Sequence, residues 1–405
     1  ESEGFGARLS AVNQTSLTAK SNNTGKDIMS ENKMLTLDEL LRRVSTSTPT
    51  PFISTSLGRP GSLDEGRTRF GRTHIVNVGN VQKVSETGIL RTKLYYSDDR
   101  NTAVREHGLS YFLADTTLTR TTTEHGIFNN RELSAAILFK NDKERSFFSN
   151  EIKYASTWKR NRTITRGDDN NQSETHSDMH SIENNLQWIR AIGKHHAKLT
   201  SVNQYRFMPE RLAVINDSTR QQDVKRRQFL SSTQLNLTFN TRRWALEMNA
   251  EGRIQVMDIE NDYRTMPLDT TFYENANINY TALIVQPTIT YKHRGLRGTL
   301  QMPLNVCHYF GTSVANRLFF SPNLSLNWDI NSRWKIGAKM SINRQEPAVN
   351  DSHAMPILVD YRTFEMSPIN FYGSRSCQKM AYVSYADYAH MLFVRASVGY
   401  DTRYS

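Results

Sequence analysis

The stretch Ser321–Arg344, SPNLSLNWDINSRWKIGAKMSINR, alternates between apolar and polar side chains. Its even positions are apolar except for Ser332, and its odd positions are Asn, Ser, Asp, Arg, Lys and Gly. The apolar even residues are Leu324, Leu326, Trp328, Ile330, Trp334, Ile336, Ala338, Met340 and Ile342. Because successive side chains of a β-strand point to opposite faces, the stretch predicts two strands around a short turn at Asn331–Arg333. Each strand would have one apolar and one polar face.

The same alternation recurs along most of the chain. It is clearest in Phe229–Phe239, Trp244–Val256, Leu283–Tyr291, Leu296–Val306 and Leu392–Tyr400. Repetition of period two over so many segments predicts an all-β, antiparallel fold. The one good helical pattern is Met34–Val44, where Leu37, Leu40, Leu41 and Val44 fall at helical spacing and Thr36 can cap the helix. We interpret residues 34–44 as a short surface helix within a connection.

The predicted connections are of two kinds. Short turns are expected near Asn141–Lys143, Ile192–Lys194, Asn240–Arg242, His293–Gly295 and Asn331–Arg333. Longer polar stretches, interpreted as loops, lie between them at Lys159–Ser181, Pro209–Arg227, Asp258–Asn275 and Gln345–Met355. Short turns at one end and long loops at the other are typical of outer-membrane barrels, whereas a soluble sandwich or propeller has no reason to sort its loops this way.

Strand length and tryptophan placement also favour a membrane barrel. Eleven residues rising about 3.3 Å each and tilted by about 45° cover roughly 25 Å, the height of a barrel's apolar band. Trp188, Trp244, Trp328 and Trp334 lie near predicted short turns, and Trp158 lies where a strand enters a predicted loop. Because amphipathic rings prefer the membrane–water interface, we expect Trp158 in the girdle opposite the other four. Core aromatics of a soluble β domain are the alternative.

Composition excludes some functions and leaves others open. The 405 residues carry a formal net charge of +11, but the Lys and Arg residues are spread singly, with one dense run at Lys225–Arg227, and no motif for binding nucleic acid accompanies them. The two cysteines, Cys307 and Cys377, make no disulfide framework and are expected to be unpaired. The start, ESEGFGARLS, lacks the basic and apolar regions of a signal peptide, so an exported protein would be represented here by an internal or processed piece.

The stretch Ser321–Pro347 resembles a hairpin common in TonB-dependent outer-membrane transporters. There, a Ser-Pro pair opens a strand of alternating aliphatic residues, and a Trp-containing strand follows the turn. The residues that carry the match are Pro322, Leu324, Leu326, Trp328, Trp334, Ser341, Arg344 and Pro347. Thr50–Val84 is also similar to the barrel of such receptors, so the resemblance in pattern covers nearly the whole chain. It implies a bacterial outer-membrane location.

The resemblance also sets expectations about completeness and partners. The family barrel has 22 strands, whereas about 14–18 are counted here, and neither a plug domain nor a TonB-binding segment is found. Residues 1–405 are therefore interpreted as a partial barrel domain, cut at both ends. The implied partners are outer-membrane lipid, the energy-coupling protein TonB through segments absent here, and a nutrient. A surface lipoprotein is a further candidate partner, and no cofactor is implied.

Candidate sites are few. The polar faces of the strands are expected to line a lumen, where they would contact a plug or a substrate. These residues are Glu247, Asn249, Glu251, Arg253, Gln255, Arg297, Gln301, Lys335 and Lys339. The stretch Asp168–His180 offers His176 and His180 as weak candidate metal ligands, but a solvated acidic loop that binds nothing is favoured. Lys194–His196 follows a short turn and is expected at the periplasmic end.

Several functions are consistent with these patterns. The favoured one is a receptor barrel that imports a siderophore, haem, a vitamin, a glycan or a peptide. A passive porin or structural barrel is the second, and a soluble β-rich binding module is the third. No nucleophile elbow, metalloprotease helix, phosphate loop or paired-Cys motif is present, so an enzyme is not expected.

Overall fold

The protein is described here by a computed structural model. The described residues are 2–23, 50–53, 70–112, 115–167, 170–193, 195–216, 218–266, 270–311, 314–345, 353–367 and 374–404. They form twenty β-strands. Within this part of the chain, no helix is long and apolar enough to cross a membrane. The helix predicted over residues 34–44 lies outside the described residues.

The strands are long in the first two thirds of the chain and shorter afterwards. The first ten are β1 (Ser2–Leu9), β2 (Asn13–Asn22), β3 (Phe70–Lys83), β4 (Gly88–Phe112), β5 (Thr117–Lys143), β6 (Ser146–Gly167), β7 (Asn171–Ile192), β8 (His195–Ile215), β9 (Thr219–Asn240) and β10 (Trp244–Met266). The second ten are β11 (Thr270–His293), β12 (Leu296–Gln301), β13 (Leu304–Gly311), β14 (Ala315–Phe320), β15 (Asn323–Asp329), β16 (Trp334–Gln345), β17 (His353–Leu358), β18 (Phe364–Ser367), β19 (Ser374–Asp387) and β20 (Leu392–Tyr404).

Eighteen of the strands form one antiparallel sheet. From β1 to β11 each strand pairs with the next in the chain, and the order then continues through β12–β16 to β19 and β20. Within the described ranges, no pairing joins β1 to β20. The all-β, antiparallel fold that the alternation predicts is confirmed.

Prolines account for two interruptions of this sheet. Strands β12 and β13 pair with β11 in one continuous register, and they are separated at Met302 and Pro303. Strands β14 and β15 likewise continue each other across Ser321 and Pro322. Because proline has no N–H to donate to the ladder, each break removes a hydrogen bond without changing the register. Joining these segments reduces the eighteen strands to sixteen, within the predicted range of 14–18.

The two ends of the sheet differ, although less than the sequence predicts. At one end, the turn end, the connections are short, as at residues 144–145, 241–243, 294–295 and 331–333. At the distal end, three of the four predicted loops are wrong. Most of Lys159–Ser181, Pro209–Arg227 and Asp258–Asn275 continues as strands β6–β11. The polar residues there face each other across strands as ion pairs, so they extend the sheet instead of ending it.

The sheet has two faces that the packing distinguishes. The short hairpin β17–β18 is a separate two-stranded sheet, and it packs with residues 50–53 on one face, which we call the inner face. The opposite, outer face carries the apolar residues of the predicted strands. Leu326, Trp328, Trp334 and Ile336 are 42–47% exposed there. Side chains this apolar and this uncovered need a surrounding other than water.

The outer face changes character along one row of cross-strand neighbours. Tyr154, Ile182, Tyr205, Phe229 and Val256 lie opposite one another on β6–β10, and we call them the boundary row. Towards the turn end, the outer face of β10 continues apolar as far as Trp244, whereas on β7–β9 polar residues such as Asn184, Asn203 and Ser231 precede the apolar residues nearest the turns. Towards the distal end it carries ion pairs, as between Arg227 and Asp258 (3.0 Å) or Arg211 and Asp223 (2.5 Å).

Replacing Leu326 with Arg tests the assignment of the two faces. If the outer face meets lipid, this change should cost about 2–4 kcal/mol of unfolding free energy, because a charge near mid-strand must enter the apolar layer. Ser325→Arg, one residue away on the inner face, is the matched control and should cost much less. The measurement is a urea titration of protein refolded into phospholipid vesicles. Equal costs for the two variants would contradict the assignment.

Candidate functional site

A buried apolar cluster occupies the inner face on the distal side of the boundary row. The alternation of β10 shows how it arises: Gln255 is followed on the inner face by Met257 and Ile259, while Asp258 and Glu260 turn to the outer face. The cluster combines residues of β8–β11, β13 and β14 with two segments from outside the sheet. Its members are Phe52, Ile53, Leu212, Val214, Val224, Met257, Ile259, Ala276, Tyr280, Ala282, Cys307, Tyr309, Phe319, Met355, Ile357 and Leu358.

The two inserted segments come from distant parts of the chain. Residues 50–53 precede β3, and the hairpin β17–β18 lies between β16 and β19. Met355, Ile357 and Leu358 are fully buried, and Phe52 meets His353 edge to face with ring centroids 4.8 Å apart. The segments therefore touch each other as well as the sheet, and together they cover the inner face at this level.

An ion pair on the sheet holds the first segment. Glu210 on β8 and Arg226 on β9 lie 3.8 Å apart, and their side chains are 1% and 0% exposed. Glu210 Oε2 accepts a hydrogen bond from the Ile53 N–H at 2.8 Å, and Arg226 Nη2 donates to the Thr50 carbonyl at 2.7 Å. The Arg226 guanidinium also lies 4.1 Å from the centre of the Phe52 ring. Burial of two opposite charges is tolerated because each is hydrogen-bonded.

Two amides on the sheet hold the hairpin in the same way. Gln222 Oε1 accepts from the Leu358 N–H at 2.7 Å, and Gln222 Nε2 donates to Asn261 Oδ1 at 2.7 Å. Asn261 Nδ2 in turn donates to the Pro356 carbonyl at 3.2 Å. We call Glu210, Arg226, Gln222 and Asn261 the anchor residues. All four reach the main chain of the inserted segments, and Arg226 also contacts the Phe52 side chain.

The nine polar residues predicted to line a lumen share the face that carries the cluster, but they lie nearer the turn end. Gln255 is buried beside it. Glu251 accepts from Arg253 Nη2 at 2.8 Å and from Ser232 Oγ at 2.9 Å. Lys335 lies 3.5 Å from Asp329, and both are well exposed. These residues make local pairs, and the structure does not gather them into one site.

The five tryptophans lie on the outer face. Trp244 contacts Tyr291, with ring centroids 4.6 Å apart, and Trp334 contacts Tyr385 at 4.8 Å, both at the turn end. Trp158 lies beyond the boundary row, 6.0 Å from the His180 ring. Trp188 and Trp328 are 36% and 47% exposed near the turn end. Their assignment to two membrane interfaces stays a prediction.

The weak candidate metal ligands lie on a strand and not on a loop. His176 and His180 are on the outer face of β7, and His180 Nδ1 lies 2.7 Å from Ser156 Oγ. Within the part of the chain that the structure describes, no three His, Cys, Asp or Glu residues are placed to hold a metal ion. Asp168, Asp169 and Lys194 lie outside that part.

Both cysteines are free, as the sequence suggests. Cys307 is buried on the inner face, where its Sγ lies 3.0 Å from Asn305 Oδ1. Cys377 is on β19 opposite Ile342, on the outer face. Because the two side chains are on opposite faces of one sheet, they do not form a bridge.

The anchor residues are the functional candidates that the sequence did not reveal. Lys225–Arg227 lies within a predicted polar loop, and this run of three cations shows no alternation of polarity that would indicate a continuing strand. Nothing in the sequence indicated that residues 50–53 and 353–361 would meet this strand.

No family model and no curated protein matches the chain. Among solved structures it is similar to receptors for ferric compounds. The open form of the ferric-catecholate import receptor Fiu from E. coli K12 is 7% identical, with a TM-score of 0.38, over 99% of this chain and 79% of that one. BauA, the ferric preacinetobactin receptor from Acinetobacter baumannii, is 8% identical, with a TM-score of 0.31, over 98% and 71%. FpvA from P. aeruginosa, bound to heterologous pyoverdines, is 7% identical, with a TM-score of 0.31, over 99% and 64%. Likeness at these TM-scores carries no weight for function, which has to be inferred from the chain's own faces and contacts.

Replacing Arg226 with Met tests the anchor. The change leaves Glu210 buried without its counter-charge and should cost about 3–5 kcal/mol of unfolding free energy. Arg227→Met is the matched control, because its side chain is 40% exposed on the outer face and its surface ion pairs should contribute at most about 1 kcal/mol. Urea titration of the refolded protein measures both.

A second variant separates charge from packing. Glu210→Gln combined with Arg226→Met should cost less than the sum of the two single changes, because no unpaired charge remains. Equal costs for Arg226→Met and Arg227→Met would show that the buried pair does not anchor the segment.

Proposed function

We propose that this chain is the membrane-spanning β-barrel portion of a bacterial outer-membrane receptor that takes up a nutrient. Residues 50–53 and the hairpin β17–β18 would close its lumen at the distal end, which would face the outside of the cell. The observation that carries the proposal is the exchange of polarity at the boundary row. On β10, the outer face below that row is apolar and the inner face is polar, and above the row the two faces reverse.

The dimensions of the apolar face support a membrane span. On β10 the outer apolar residues run from Trp244 to Val256. Thirteen residues at about 3.3 Å each, tilted by about 45°, cover roughly 30 Å. Aromatic side chains lie at both limits of this band, as expected where an amphipathic ring meets the membrane–water interface. A soluble binding module would have no use for so tall an uncovered face.

The inserted segments favour a receptor over a passive porin. An open porin keeps a polar, water-filled lumen. Here Leu358 and Met355 of the hairpin, with Ile53, are buried against the inner face. A gated importer needs such an obstruction, and a diffusion pore does not. The resemblance in sequence pattern implies coupling to TonB, and the nutrient stays open among siderophores, haem, vitamins, glycans and peptides.

Deleting the hairpin β17–β18, residues 353–367, tests the closed lumen. The intact protein in a planar lipid bilayer should pass little ionic current, because the inserted segments block the inner face. The deletion variant should show clear single-channel openings, since of the two inserted segments only residues 50–53 would then remain against the inner face. Arg362→Ala, an exposed change within the same hairpin, is the control and should leave the current low.

Two outcomes would count against the proposal. If the intact protein fails to enter phospholipid vesicles and stays soluble without detergent, it is not a membrane barrel. If the intact protein conducts as strongly as the deletion variant, the chain is a porin.

A further inference from the structure

Among the described residues, no carboxylate forms an ion pair with three cations of the outer face. They are Arg344 on β16 and Arg375 and Lys379 on β19. On β6–β10, several arginines of the outer face pair with acids, as Arg160 does with Asp178 through Nη2 and Oδ2 at 2.9 Å and Arg211 does with Asp223. Among the described residues of β12–β16, β19 and β20, the outer face carries no Asp or Glu except Asp387 at the turn end.

The two arginines oppose each other directly. Arg344 and Arg375 are cross-strand neighbours, and both are exposed. Like charges in this position destabilise a strand pair. The Arg344 side chain makes a long contact of 3.5 Å from Nη1 to the Leu318 carbonyl, which does not neutralise it. The pair therefore favours an external anion, and phosphate suits the donor geometry of arginine.

An apolar groove crosses β15, β16, β19 and β20 on the turn-end side of Arg344 and Arg375. Leu326, Ala338, Ala381 and Val398 lie side by side across β15, β16, β19 and β20. The two alanines between larger neighbours leave a depression of about 330 Å³, which Met340 and Tyr400 also line. Lys379 lines the same groove, one strand position from Ala381 on that face. Its lining is otherwise almost entirely apolar.

We propose that this groove and its three cations bind an anionic membrane lipid through its phosphate. One acyl chain lies in the groove over Ala338 and Ala381. The phosphate binds between Arg344 and Arg375, and Lys379 holds the polar part of the lipid nearest the chain. Arg375 and Lys379 are four residues apart, about 13 Å along the strand, which is the span of a headgroup and not of a single phosphate ion. The inference rests on the proposed membrane function, because the groove must face lipid.

The experiment measures which lipids stay bound to the full chain. The protein is refolded in a neutral detergent and equilibrated separately with phosphatidylglycerol, lipid A, phosphatidylcholine or inorganic phosphate, and native mass spectrometry then counts the retained molecules. We expect retention of the two anionic lipids and little retention of phosphatidylcholine. Arg344→Gln combined with Arg375→Gln should weaken retention of the anionic lipids roughly tenfold or more, since each cation near a membrane surface contributes to anionic-lipid binding.

Further variants test the groove and provide the controls. Ala381→Phe should fill the depression and reduce retention while leaving the cations in place. Arg131→Gln and Ala135→Phe make the same changes on the outer face of β5 and should leave retention unchanged. Heat-dependent gel migration reports whether each variant has folded. Where the double variant does not fold, Lys379→Gln takes its place and should lower retention severalfold.

The possible failures are distinguishable. A protein that does not enter vesicles at all overturns the proposed function. A protein that enters vesicles but retains phosphatidylcholine as well as it retains the anionic lipids overturns only the lipid site. The lipid site is also overturned if the Arg344→Gln and Arg375→Gln changes leave retention of the anionic lipids intact. Inorganic phosphate that binds as tightly as the lipids would show an anion site with no role for the groove.

Discussion

The exchange of polarity at the boundary row is the constraint on which the rest of the structure depends. A two-faced strand has to match each face to its surroundings. On β10, Val256 is the last apolar residue of the outer face, and Met257 begins the apolar run of the inner face. The surroundings must therefore change on both sides at the same level. A single-phase solvent does not do this, whereas the edge of a lipid layer next to a filled lumen does.

The long strands follow from this constraint. Strands β8–β11 span 21 to 24 residues, well beyond the roughly 10 residues needed to cross a bilayer. The extra length lies on the distal side, where the outer face carries pairs such as Arg211 with Asp223 and Arg227 with Asp258. Exposed pairs of this kind contribute little stability each. The distal part of the sheet is stabilised instead by the apolar cluster on the inner face behind these pairs. The added strand length supplies the wall against which that cluster packs.

The sequence was sufficient to predict the strands near the turn end, but it was insufficient to predict their continuation beyond the boundary row. Alternation predicted strands such as Trp244–Val256 because the outer residues there are apolar or glycine, whereas the inner residues from Glu247 to Gln255 are polar. Past Val256 the apolar positions move to the other parity, and Asp258 and Glu260 then read as loop residues. The anchor was not predictable because Glu210 and Arg226 acquire their role only when residues 50–53, more than 150 positions earlier in the chain, reach them. Periodicity carries no information about such long-range contacts.

The hydrogen bonds of the anchor residues suggest a reason why polar groups hold the inserted segments. An apolar pair in place of Glu210 and Arg226 would cost less to bury, so stability alone does not explain the ion pair. Its hydrogen bonds end on the main chain at Thr50 and Ile53, and those of Gln222 and Asn261 end at Leu358 and Pro356. Main-chain bonds fix the register of each segment, which apolar contacts alone do less strictly. They also oppose withdrawal of a segment. Withdrawal exposes the anchor residues, and water or a polar ligand then has to replace the lost hydrogen bonds. A closure of this kind stays in place while these hydrogen bonds are intact, and it is released once water or a polar ligand has replaced them.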